Sequence, residues 1–142
     1  MLRTSLMLVL TMVPAMAWET TVGRVCELSH DGENASVLLT YDPAIPEYSI
    51  AITPQAPWPD GPVFAMRFDG PQGNMITTDR HMITGNGATL TVTDSGFGNV
   101  LNGLEFNETA TALLGDREVS VSLEGAAPAV QDFRNCTESP SV

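Results

Sequence analysis

The residues of this 142-residue chain that could do chemistry are two cysteines, two histidines and seventeen carboxylates. Cys26 and Cys136 lie 110 residues apart. No CxxC pattern accompanies them, so thiol exchange is not expected, and in an oxidising compartment they read as a structural pair. His30 and His81 each sit in polar sequence without a ligand partner two or four residues on. A zinc site needs about three or four such ligands, so both read as surface or hydrogen-bonded histidines. Asp79-Arg80 ahead of His81 suggests a local ion pair or turn contact. Ser29-His30-Asp31 contains the residue types of a catalytic triad, but three neighbours in one turn cannot converge on a substrate. A GxSxG elbow is absent. Paired carboxylates could hydrolyse a glycoside, yet spacing singles out no pair. The sequence therefore nominates no catalytic residue, no metal ligand and no cofactor.

The most unusual local stretch is Asp94-Ser95-Gly96-Phe97-Gly98-Asn99. A calcium loop or an anion nest would use Asp94 and Asn99, although neither the EF-hand spacing nor a P-loop lysine is present. The plainer expectation is a turn with two positive-φ glycines, capped by Asp94, Ser95 or Asn99. Trp58, between four prolines, has two readings: an exposed aromatic anchor in an interface, or the lid on one end of a β-sandwich. Asn34, Asn107 and Asn135 each head a glycosylation sequon, which matters only in a eukaryotic secretory route.

The first seventeen residues have the form of an export signal. Arg3 supplies positive charge, Leu6 to Val13 is apolar, and Ala15-Met16-Ala17 offers a small-x-small cleavage site. The apolar run is shorter than the ~20 residues that cross a bilayer, so no membrane span is expected after cleavage. Removing residues 1–17 leaves one domain over 18–142. The whole chain carries a net charge of −11 with no lysine, and loss of Arg3 makes that −12. Such a charge repels phosphate backbones, which argues against nucleic acid as a partner. Its simplest role is solubility; its sharper one is an acidic face for an envelope protein or a basic protein.

These residues must be positioned by short, alternating segments. Thr20–Leu28 reads as one strand, and Ser29 to Asn34 as a polar turn. Further strands are expected at Ala35–Tyr41, Tyr48–Thr53, Val63–Phe68 and Thr89–Thr93. Met75–Thr78 and His81–Thr84 are weaker and read as an edge hairpin. After Gly96 the character changes. Val100, Leu101 and Leu104 share one helical face over Gly96–Phe106, Thr109–Leu123 alternates as a hairpin, and Gly125-Ala126-Ala127-Pro128 starts a second helix that ends near Cys136. Thr137–Val142 reads as a mobile tail. The fold class is mainly β: an antiparallel sandwich or flattened barrel with one or two short helices in the C-terminal third. A Cys26–Cys136 bond would close it.

The C-terminal third, with its apolar helix and hairpin, carries Val119-Ser120-Val121-Ser122-Leu123-Glu124-Gly125-Ala126 and then Ala129-Val130-x-x-Phe133. Over residues 89–136 this resembles the ending of the invasion-associated locus B family of small exported bacterial proteins. The resemblance implies a periplasmic, non-enzymatic, β-rich protein of the cell envelope or of host contact, and it brings no catalytic residues. Absence of lysine beside arginine suits a GC-rich bacterial genome. The expected function is a periplasmic or secreted binding or interaction protein. The alternatives are a small hydrolase with a carboxylate site and an acidic inhibitor of a basic enzyme such as lysozyme.

Overall fold

The computed structural model describes residues 5–10 and 18–138. The rest of the leader expected over 1–17, and the end of the tail from residue 139, lie outside the described residues. Ten strands and two helices are present among the described residues. The strands are β1 (Glu19–Thr21), β2 (Cys26–Asp31), β3 (Ala35–Asp42), β4 (Glu47–Pro54), β5 (Phe64–Asp69), β6 (Asn74–Thr78), β7 (Met82–Thr84), β8 (Thr89–Asp94), β9 (Thr109–Leu114) and β10 (Arg117–Ser122). The helices are α1 (Gly98–Phe106) and α2 (Ala126–Glu138).

Two antiparallel sheets result, one of six strands in the order β1-β2-β3-β4-β8-β7 and one of four in the order β10-β9-β5-β6. Each sheet keeps its own edges, so the fold is a sandwich and not a closed barrel. Alternation drives it: every second side chain of β2, β3 and β4 is buried, except Tyr41 and Tyr48, which are half-buried. Register then lines these up across strands. Leu28, Leu39, Ile50 and Val92 form one inward row, and Val37, Ile52, Leu90 and Ile83 form the next. The smaller sheet answers with Val119, Ala112, Met66 and Ile76 in one row and Val121, Ala110 and Phe68 in another.

Three expectations about elements are corrected. Thr20–Leu28 is two strands, because the chain folds back around Gly23 and Arg24 to pair Thr20 with Leu28. β2 also runs on through Asp31, so Ser29, His30 and Asp31 alternate on a strand instead of forming a turn. Met75–Thr78 and His81–Thr84 do not pair with each other: β6 joins β5 and β7 joins β8, in different sheets. The tight turn Gly85-Asn86-Gly87, all three at positive φ, sends β7 back along β8.

The helices close one end. α2 packs on β1, β2 and α1, and the Cys26–Cys136 disulfide fixes it with Cα atoms 6.0 Å apart. The helix runs to Glu138, into the expected tail. Tyr48 stacks on Phe97 and meets Tyr41 and Phe133, so aromatic rings from both ends of the sequence fill this corner. Arg134 of α2 donates to Asn102 Oδ1 at 2.7 Å and reaches Glu105 Oε1 at 3.1 Å, both on α1.

Asn107 ends α1 and is 8 % exposed. Its Nδ2 donates to the Gln72 and Gly103 carbonyls, and its Oδ1 accepts from the Gln72 N–H. Two bonds tie the helix end to the β5–β6 turn and the third closes its last turn, and a glycan on this sequon is incompatible with the folded packing. Asn107→Ala leaves buried partners unpaired and should cost about 1–3 kcal/mol, measured by urea unfolding at constant slope.

Candidate functional site

The feature that stands out is a cleft of about 420 Å³ between the two sheets, beneath the start of α1. Such a volume lies within the roughly 300–1,000 Å³ of small-molecule sites. Its walls come from both sheets: Ile50 and Val92 from the larger, Phe64, Met66 and Ile76 from the smaller. Phe97 and Val100 form the third side. All these side chains sit on the inward parity of their strands or on the buried side of α1, so the cleft is core left unfilled at one margin.

The sheets explain where it opens. Six strands face four, and α2 covers the surplus on the β1–β2 side. At the other side the smaller sheet ends at β6, and the cleft lies behind it.

The rim is polar. Thr77, Thr78, Arg80, Asp94 and Asn99 contribute. β8 alternates, with Leu90 buried, so Asp94 shares the inward parity of Leu90 and Val92. Asp94 Oδ2 accepts from Arg80 Nη2 at 3.3 Å, and Oδ1 accepts from the Ser95 N–H at 2.7 Å. The two side chains are 69 % and 42 % exposed, and an ion pair that exposed is worth at most about 1 kcal/mol. A ligand can therefore displace either partner at little cost.

Gly96 and Gly98 flank the rim, and both were expected at positive φ. Neither is: the positive-φ glycines are Gly70, Gly85, Gly87, Gly115 and Gly125. A Cβ built on Gly96 or Gly98 would meet nothing within 4 Å. The fold does not need these glycines for strain or space, and both line the cleft. The expected side-chain cap is not seen among the described residues, since Phe97 holds the N-cap position and makes no side-chain cap bond to α1.

Of the residues singled out by sequence, Asp94 and Asn99 both line this cleft. Among the described residues no group of three or more His, Cys, Asp or Glu is placed to share a metal ion. Cys26 and Cys136 are bonded to each other. Trp58 is corrected as an interface residue: it is 5 % exposed, donates to the Ile52 carbonyl at 3.0 Å and meets Phe64 edge-on. Its prolines fold it inward as a core lid. Alternation separates the triad types, with His30 buried against Trp18 and Asp31 exposed beside Ser36. His81 has a distant partner instead of a local one, its Nε2 lying 2.8 Å from the Gly61 carbonyl. Arg80, Thr77 and the apolar walls were not foreseen, because inward alternation looks the same for filled core and for a cleft wall.

Fold and cleft together define a disulfide-clipped antiparallel β-sandwich with an open, apolar-walled slot and a polar rim. No family model, no curated protein and no solved structure matches the chain.

Proposed function

We propose that the chain is an exported, non-enzymatic binding protein of the bacterial periplasm or envelope, and that the cleft takes the apolar part of its ligand. One observation carries this reading. The cleft combines an apolar floor with a rim ion pair and two glycines that the fold itself does not require. A long-range disulfide agrees with an oxidising compartment, as does the resemblance of residues 89–136 to the invasion-associated locus B family. For a carboxylate-based hydrolase the nearest feature is Asp94, whose neighbour in the rim is Arg80 and not a second acid.

Gly96→Trp tests the reading, because the new side chain enters open space at the mouth. Wild-type protein should bind one molecule of anilinonaphthalene sulfonate, a fluorescent probe with apolar rings and one sulfonate. The variant should bind at least about tenfold more weakly, a loss of about 1.4 kcal/mol, with its melting temperature unchanged. Equal binding by a folded Gly96→Trp protein would show that the probe sits elsewhere and would remove the cleft as the site.

A further inference from the structure

The cleft is bordered by β6, whose outer edge carries a local contact from its own Asn74 side chain, whereas side chains from the larger sheet's segments reach the opposite edge of the same sheet. On β10 the Ser120 carbonyl accepts from Asn34 Nδ2 and the Ser122 carbonyl accepts from Trp18 Nε1, both at 3.0 Å. Side chains of the larger sheet's own segments thus close that edge. Among the described residues β6 pairs only with β5. The Met75 N–H donates to Asn74 Oδ1 at 2.9 Å, so it does not point at β5. Alternation along an antiparallel ladder turns the backbone groups of Thr77 the same way. Neither proline nor charge protects Asn74–Thr78, and Met75 is 52 % exposed. An unprotected edge of this kind is a template for another strand.

The side-chain directions connect this edge to the cleft. Ile76 and Thr78 share the inward parity and line the cleft, Thr77 reaches its rim from the other parity, and Met75 lies outside the lining. A strand added antiparallel to β6 would bond to Met75 and Thr77 through its backbone. Its residue opposite Ile76 would then project inward, into the apolar slot. Resting on the cleft reading above, we infer that the ligand is an extended peptide segment added to β6, with an apolar side chain in the cleft. Two features select the peptide. Outward N–H and C=O groups in strand register match a peptide backbone, and a chain with net charge −11 and no lysine favours neutral or basic flanks.

The test uses the oxidised protein and a capped seven-residue peptide that alternates leucine and threonine, with an arginine at each end. A second version is N-methylated on alternate residues, which removes the donors facing β6 and leaves the side chains in place. The parent peptide should bind, and methylation should weaken it at least about tenfold. Met75→Pro removes one outward N–H from β6 at a residue outside the cleft lining, where an edge tolerates proline, and should weaken the parent peptide equally while anilinonaphthalene sulfonate still binds. Equal affinity for both peptides, or no binding of the parent by protein that still takes up the fluorescent probe, would overturn strand addition and leave the cleft reading standing. Loss of the probe as well would remove both.

Discussion

Cys136→Ser is expected to lower the melting temperature by about 10–20 °C, the largest single effect in the molecule. The bond closes a loop across a sequence separation of 110. Loop-closure entropy for so long a loop amounts to about 4–5 kcal/mol, and in a domain of this size each kcal/mol moves the midpoint by a few degrees. Position reinforces the entropy. Cys26 opens β2 and Cys136 lies in the last turns of α2, so the bond joins the first long strand to the final helix. Breaking it leaves α2 held by Ala129, Val130 and Phe133 against the sheet and by Arg134 against α1. Wild-type protein unfolded with a reductant present should lose about as much as the variant does. A midpoint that falls by less than about 3 °C in both would mean that packing alone holds the closing helix.

Gly103→Val should destabilise the protein by about 3 kcal/mol, at the upper end of the usual overpacking cost. Gly103 is buried in α1, directly over Phe68 of β5. A Cβ at this position would stand 2.4–2.5 Å from three carbon atoms of the Phe68 ring, which is itself 1 % exposed. Helix propensity works in the opposite direction, since glycine is among the worst helix residues by about 1 kcal/mol. The contact is closer than any real one, so sterics win. Gly98→Ala, in the same helix but with nothing within 4 Å, isolates the propensity contribution and should leave stability unchanged or slightly higher. Combining Gly103→Val with Phe68→Leu should cost less than the sum of the single changes, because the smaller side chain makes room. Strict additivity, checked by urea unfolding of the four proteins, would place the cost somewhere other than this contact.

Much of the architecture was legible in the chain because alternation is a local property. Val37, Leu39, Ile50 and Ile52 declare their inward face without reference to any partner, and Leu101 with Leu104 does the same at helical spacing. Partner choice is not local. Met75–Thr78 and His81–Thr84 have hairpin spacing, yet three residues, Asp79-Arg80-His81, carry the chain from one sheet to the other. Gly23 shows the same limit at a smaller scale, where a β-branched run hides a reversal.

The cleft was only half visible. Asp94 and Asn99 drew attention because their neighbours are two glycines and a polar turn, and they line the cleft. Phe64, Met66, Ile76 and Val92 gave no such signal. A wall of a cleft and a wall of a core need the same residues at the same spacing, and what separates them is whether the opposite sheet reaches that far. Here the space between the sheets stays open behind β6, the last strand of the smaller sheet. Trp58 had two readings, an exposed anchor and a lid on the sandwich, and its geometry fits the lid: the indole N–H donates to the Ile52 carbonyl and the ring is buried.

Amide chemical-shift mapping of the oxidised protein, titrated with anilinonaphthalene sulfonate, tests the central claim most directly. Binding in the cleft predicts saturable shifts at Phe64, Met66, Ile76, Val92, Phe97 and Val100, residues scattered in sequence and brought together by the fold. Saturable shifts confined to other surfaces, with these six unchanged, would contradict it.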